Sequence, residues 1–412
     1  MSERSPTRTG DQALVREINL SLIMNHLRDH APVSRAALAE MTGLNKSTVS
    51  SIIRELIEGR FVYEIGLSSS SIGRPSTLLE LNPSAGHIIG LEIDVDSISV
   101  TCANFAAEMI CQQKELTGSD LNQAAVLARA LAMVEEAARL GQRKQLNRLL
   151  GLALGVPGLV DHETGMLLFA PNLGWENVPL GDILRRRFPN TPIFVDNEAN
   201  LAALGECFYG AARGYDTVLY ISAGIGLGGA IVSQGHLFKG KLGYASEFGH
   251  MTLEVDGEPC NCGNRGCWET LVSQPALFRQ IRRAVERGEK SVLSDWVAQD
   301  WSRLTLPMVL DAAQRSDTVA RAALERVGFY LGIGIASLVN ALNPDLVVLG
   351  GMLSLAGDFL LPVVEAELHR RALRWTAEAV RLVLARHGAD ACLMGGIAVV
   401  HQSILSQSVA AR

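Results

Sequence analysis

A chain of 412 residues, 48% hydrophobic and with a formal net charge of −6, is long and apolar enough to bury two or three cores, and its acidic balance excludes a protein that coats nucleic acid over its whole surface. No run of eighteen apolar residues occurs and the N-terminal MSERSPTRTGDQ lacks an apolar signal segment, so neither a membrane span nor export is expected and the expected location is the cytoplasm. An acidic total leaves room for a local DNA-reading face.

Residues 12–30 place Leu14, Ile18, Leu22, Ile23 and Leu27 on one helical stripe. After Pro32, a Ser34 cap opens a short helix, Gly43 turns the chain, and a second helix starts at Asn45. Two helices across a glycine-bearing turn read as a helix-turn-helix. The second presents Lys46, Ser47, Thr48 and Ser50 on its first turns, with Val49, Ile52, Ile53 and Leu56 as its packing face. Small hydroxyls and a cation at that position suit phosphates and base edges in a major groove. Charge does not decide the matter, because residues 1–82 carry nine Lys or Arg against nine Asp or Glu. Phe61 to Glu64 and Thr77 to Leu81 read as two strands of a wing around a loop, Gly66 to Ser76, that ends Gly73-Arg74-Pro75. Two readings of Arg74 stand: an extended arginine for a narrow minor groove, or an incidental charge in a linker.

The pattern changes near Asn82-Pro83. His87 to Phe105 alternates through two strands, a helix runs from about Gln123 to Leu140, and Leu149 to Val156 is a buried strand, so the body is an α/β domain. Loops then follow strands: Gly155 to Gly158, Pro171 to Trp175, and Phe194 to Asn200, which opens a helix. Asn172 offers both a donor and an acceptor, as a hydroxyl ligand requires, whereas Trp175 reads as structural.

His250, Cys260, Cys262 and Cys267 are spaced H-x9-C-x-C-x4-C. Three thiolates and an imidazole make a tetrahedral zinc set, and one residue between Cys260 and Cys262 is not the two-residue spacer of redox motifs. Such a closed set leaves no position for water, which excludes a zinc hydrolase. The remaining Cys102, Cys111, Cys207 and Cys392 are scattered and read as small buried hydrophobes rather than disulfides. Glu247 and Glu269 bracket the cluster. They are either solvated or presented to a ligand rich in hydroxyls, which a sugar would satisfy.

The runs E-F-G-H-M and C-N-C-G-N-R-G-C-W-E resemble the ROK family of sugar kinases and transcriptional repressors, and the resemblance covers nearly the whole chain. It implies an actin-like two-lobe ATPase (ASKHA) fold behind a winged helix-turn-helix whose wing carries a similar G-R-P. The implied division is 1–82 for the DNA-binding domain and 83–412 for the sugar-sensing domain, with lobe one about 84–197 plus the C-terminal helix and lobe two about 198–390. It assigns structural zinc to His250, Cys260, Cys262 and Cys267. Sugar contacts fall to Asn172, Asn197, Glu198, Glu247, His250 and Glu269.

In the family's kinases the run matching Asn197-Glu198 reads N-D, with the aspartate as base; glutamate here displaces the carboxylate by about a bond length, at a scale of roughly 1 Å that catalysis does not tolerate. The first phosphate loop, D-I-G-G-T-K in those kinases, is Glu92-Ile93-Asp94-Val95-Asp96-Ser97. Both glycines and the lysine are gone, and two acids face where phosphates would sit. The second is Ser222 to Gly228 without its leading Gly-Thr, and reads as a tight hairpin. The expectation is therefore a non-enzymatic, sugar-responsive regulator of an operator in double-stranded DNA, working as a homodimer or dimer of dimers. A sugar kinase with an appended DNA-binding domain is the alternative. The runs D-N-E-A-N and P-N-L-G-W resemble the xylose-repressor branch, which implies xylose or glucose as effector.

Overall fold

The computed structural model describes residues 12–67, 76–117 and 122–410; Arg74 and the G-R-P tip lie outside them. The N-terminal part consists of α1 (Gln12–His30), β1 (Val33–Ser34), α2 (Arg35–Thr42), α3 (Lys46–Glu58), β2 (Val62–Leu67) and β3 (Thr77–Leu81). Local chemistry sets the boundaries. Ser34 Oγ accepts from Ala37 N at 3.2 Å to start α2, Gly43 at φ 68° ends it, and Asn45 Oδ1 accepts from Thr48 N at 2.7 Å to start α3. Val49, Ile52, Ile53 and Leu56 are all buried. The stripe on α1 differs from expectation: Leu20, Ile23, Met24 and Leu27 are the buried set, Leu22 is only half-buried, and the side chains of Leu14 and Ile18 lie outside the described residues. Leu20 starts an i, i+3, i+4, i+7 stripe whose opposite side holds Leu22. A third wing strand, β1, pairs with β3 in the order β1-β3-β2.

The body holds two five-stranded sheets. The first uses β4 (His87–Ile93), β5 (Ser97–Asn104), β6 (Met109–Leu116), β7 (Leu149–Val156) and β11 (Ile193–Asn197), ordered β11-β7-β4-β5-β6. Between β7 and β11 run the small sheet β8 (Leu159–Asp161), β9 (Met166–Ala170) and β10 (Trp175–Val178), then α5 (Leu180–Arg187); α4 (Gln123–Arg143) covers one face of the first sheet. α6 (Glu198–Tyr209) leads to the second sheet, built from β12 (Thr217–Ala223), β13 (Leu227–Ser233), β14 (His236–Leu237), β15 (Leu346–Gly350) and β16 (Arg381–Leu384) in the order β14-β13-β12-β15-β16. Each sheet is an antiparallel meander of three strands extended by two strands parallel to the first of them. The two halves therefore share one topology.

Helices α7 (Glu269–Val272), α8 (Gln274–Glu286), α9 (Val292–Trp296), α10 (Leu306–Gln314), α11 (Thr318–Leu342), α12 (Gly357–Arg371) and α13 (Arg374–Ala379) complete the second half. α11 is long and apolar enough to cross a membrane, but 61% of its most apolar window is buried in this core, where Leu324, Val327, Leu331 and Ile335 are inaccessible. The last helix, α14 (Ala391–Ala410), returns to the first sheet and lies along α6. A Cβ on Gly395 would stand 1.7 Å from Leu201 O, and one on Gly205 2.5 Å from Ala391 O, so this pair closes to backbone contact.

The N-terminal part has no core of its own. Leu20, Ile23, Leu27, Ile52, Ile53 and Leu79 share one apolar cluster with Ile88, Phe105, Leu150, Ile397 and Val400 of the body. At the junction Phe61 and Phe105 rings stand 4.9 Å apart, Phe105 meets His401 edge-on at 4.9 Å, and Arg28 lies 5.3 Å from the centroids of both Phe208 and Tyr209. Tyr209 and His401 are hydrogen-bonded, and Arg213 pairs with Asp29 at 2.6 Å.

Candidate functional site

A cleft of about 120 Å³ opens between the two halves, lined among others by Glu92, Asp94, Asn172, Asn197, Glu198, Glu247, His250 and Glu269. All six residues expected to meet a sugar reach this one cavity. The strands deliver them, because successive parallel strands end on the same side and their loops collect there.

His250 sits at the end of a short 3-10 turn, Phe248–His250, with its Nδ1 3.7 Å from Cys260 Sγ and its Nε2 4.0 Å from Glu247 Oε2. Its two nitrogens thus address different partners. Cys262 and Cys267 sulfurs are 3.8 Å apart, and the ligand atoms of His250, Cys260, Cys262 and Cys267 all lie within 4.8 Å of one another. A tetrahedral metal bonded to thiolates at about 2.3 Å places sulfurs about 3.8 Å apart, so the residues present fit such an ion.

The loop is shaped to that end. Cys260 N donates to Asn264 O at 2.8 Å and Gly263 N to Cys260 O at 3.0 Å, and Gly266 adopts φ 64° where a Cβ would stand 1.5 Å from Glu254 O. Trp268, fully buried, donates its Nε1 proton to Tyr330 O at 2.9 Å and so fastens the loop to α11.

The ligand-facing residues are also tied to the protein. Glu269 Oε2 accepts from Leu227 N at 2.9 Å, which links the metal loop to the β12–β13 hairpin. Asn172 Oδ1 accepts from Asn261 Nδ2 at 2.9 Å, a bridge across the cleft for which the sequence offered no signal beyond the C-N-C triplet. Asn197 caps α6, its Oδ1 accepting from Ala199 N at 2.8 Å and Asn200 N at 3.3 Å, while its Nδ2 donates to Gly158 O at 3.0 Å. One Nδ2 proton is left for a ligand. Asp196, passed over in the sequence, holds the same loop: it accepts from Asn197 N and Asn200 Nδ2, both at 2.8 Å, and pairs with Lys239 at 2.6 Å.

Acids dominate the far end of the cleft. Glu92 and Asp94 line it from the end of β4, whereas Asp96 points away, exposed. Burial, reinforced by Asp94, pushes Glu92 up to about 8; burial and the same neighbour raise Glu198 well above the usual carboxylate range, and burial also raises Asp94 and Glu247. Ser222 to Gly228 forms the tight hairpin that its pattern suggested, with Ala223 opposite Leu227. Trp175 is buried in the core beneath the first sheet.

At the other end of the molecule Lys46 and Ser47 are exposed on the first turn of α3, and Thr48 and Ser50 are half-buried. Ser47 donates its hydroxyl proton to Asn45 Oδ1 at 2.6 Å, so it serves the cap as well. Ser51 and Arg54 continue the exposed face. The sequence reading stopped at the first turn and missed them, although positions 47, 51 and 54 repeat with helical spacing.

Comparison with known proteins matches these two parts separately. The sequence model of the ROK family matches residues 88–403, and that of winged helix-turn-helix DNA-binding domains matches residues 16–62. The xylose repressor of Caldicellulosiruptor bescii is 33% identical over 397 residues, covering 96% of this chain and 98% of the relative. Among solved structures, a ROK family transcriptional regulator homologous to the E. coli MLC protein superposes with a TM-score of 0.81 at 27% identity over 96% of this chain and 98% of its own. A ROK family glucokinase from Streptomyces griseus in complex with glucose and AMPPNP gives a TM-score of 0.68 at 29% identity over 76% of this chain and 99% of its own. With its cleft between two topologically matching halves and a winged helix-turn-helix in front, the chain belongs to the ROK family and has that family's actin-like α/β fold.

Proposed function

We propose that this protein is a sugar-responsive, DNA-binding transcriptional repressor and not an enzyme. One observation carries the reading: hydroxyl-accepting residues from both halves converge on one cleft, while the run that would cradle phosphates presents Glu92 and Asp94 instead. In this reading residues 1–82 bind DNA and 83–412 sense the sugar, with the lobes divided near Asn197 and α14 returned to the first.

The sugar, xylose or glucose, lies against Asn172, Asn197, Glu198, Glu247, His250 and Glu269. Zinc, held by Cys260, Cys262, Cys267 and His250 Nδ1, has a structural role: it fixes the loop and the imidazole orientation, leaving Nε2 to face the cleft. Lys46, Ser47, Thr48 and Ser50 approach an operator in double-stranded DNA, with Arg74 of the wing beside them. Two such helices in a homodimer must stand about 34 Å apart, or a multiple of it, to read successive turns. Sugar closes the cleft, alters that separation and releases the DNA, through its differential affinity for the two arrangements. A cytoplasmic location goes with this role.

Kinship with a glucokinase keeps a sugar kinase as the second reading. Titration calorimetry of the full-length protein against a panel of neutral sugars, with and without Mg-ATP, separates the two. Heat from a sugar that is indifferent to Mg-ATP, together with sugar-dependent release of operator DNA, supports the sensor; steady nucleotide turnover in the presence of sugar overturns it.

A further inference from the structure

The polar inventory of the cleft goes beyond recognising a sugar and says which chemical form of it fits. Seven charged or titratable residues line the cavity: five carboxylates (Glu92, Asp94, Glu198, Glu247 and Glu269), the imidazole of His250, and Lys114, which is exposed at the rim. Glu198 is central to them. Its Oε2 is buried without a hydrogen-bond partner, a cost that a donor on a bound molecule would remove. Asp94 and Glu92 face it from the end of β4, and Glu247 from the metal loop.

The backbone groups that could hold an anion are already engaged. At the start of α6, Ala199 N and Asn200 N donate to Asn197 Oδ1, and the carboxylate of Glu198 occupies the first position of the helix. In the β12–β13 hairpin Gly224 N donates to Gly226 O at 2.9 Å and Leu227 N to Glu269 Oε2. In the β4–β5 turn Asp94 N donates to Ser97 O at 2.8 Å and Val95 N to Asp94 Oδ1 at 2.7 Å. A helix start and two glycine- or turn-rich loops are the usual anion cradles, and each has its inward N–H groups bound to the protein's own acceptors.

We propose that the effector is an unphosphorylated sugar, and that Glu92, Asp94 and Glu198 determine this by refusing any phosphate ester at the far end of the cleft. The inference rests on the sensor reading above and narrows its ligand class. A hydroxyl both donates and accepts, so it can give its proton to Glu198 and take one from a protonated neighbour. The raised carboxyls of Glu92 and Asp94 make such protons available near neutral pH. A phosphate monoester brings acceptors only and close to two negative charges, and like charges held together in a partly desolvated site are strongly disfavoured.

The test is titration calorimetry at pH 7.5 on the full-length wild-type protein, with each neutral sugar of the panel, each of its phosphate monoesters, and inorganic phosphate. The expected result is a neutral sugar that binds, monoesters at least 100-fold weaker, and no heat from inorganic phosphate. The double variant Glu92→Gln/Asp94→Asn, checked for folding by circular dichroism, should narrow the discrimination at least tenfold. A monoester that binds the wild type as tightly as its parent sugar overturns the inference and leaves the sensor reading standing. Unchanged discrimination in a folded double variant overturns the assignment to these carboxyls. If no sugar of either kind binds, the sensor reading itself falls and takes this inference with it.

Discussion

His250 illustrates how single residues in this cleft serve two masters. With Nδ1 3.7 Å from Cys260 Sγ and Nε2 4.0 Å from Glu247 Oε2, a metal on the first nitrogen fixes the tautomer and leaves the second as a donor toward the cavity. Cys260→Ser should therefore abolish two things together: zinc content, measured by atomic absorption as a fall from one ion per chain to none, and sugar-dependent release of operator DNA in a mobility-shift assay. Retained induction without the metal would show that it does not organise the site. Asn197 has the same double character, since capping α6 uses its oxygen and one of its two amide protons. The sequence marked both residues, but a motif reports which side chains are present and not how many of their hydrogen bonds are already taken. Asp196 and Glu206 were invisible for a related reason. Glu206, fully buried at the end of α6, accepts from Ala211 N at 2.7 Å, Arg386 N at 3.0 Å and His387 N at 2.8 Å, and two of those donors lie some 180 residues away.

At the scale of elements, local signals were legible wherever a residue's role is decided by its near neighbours. Ser34, Gly43 and Asn45 bound the helices of the DNA-reading motif by capping chemistry alone, and all four residues of the α3 packing face are buried as their spacing requires. β6 escaped notice because MICQQKEL lies at the edge of the first sheet, exposed along much of its length, and has no apolar alternation to read. The contact between α6 and α14 is likewise a tertiary fact. Gly395 resembles any glycine of a small-residue helix until the carbonyl of Leu201 is found where its Cβ would go. Gly395→Ala should force the two helices apart and lower stability by about 2 to 3 kcal/mol, an overpacking cost, read as a lower midpoint in urea denaturation. An unchanged midpoint would mean that the pair is not held at backbone contact.

Across the whole molecule, α6 and α14 run from the cleft to the DNA-binding part. α6 begins at Glu198 and α14 beside Cys392, both lining the cavity, and Tyr209 and His401 meet under Arg28 of α1. Burial lowers His401 to about 4, so the ring stays neutral at physiological pH and accepts or donates without charge. Tyr209→Phe should leave sugar affinity and operator affinity, each measured alone, within about twofold, while reducing the sugar-induced drop in operator affinity at least fivefold, a coupling loss of about 1 kcal/mol. Full retention of that drop would place the linkage elsewhere. The shared apolar cluster beneath this junction also bears on synthesis. The sheet that receives α1 is finished with Asn197, but Ile397 and Val400 of α14, which close its core, emerge about 200 residues later. At roughly 5–20 residues per second the nascent recognition motif waits some 10–40 s, with apolar surface bare, before its seat exists. A chaperone that shields Leu20, Ile23 and Leu27 during that interval would raise the yield of active repressor more than one acting on the completed chain.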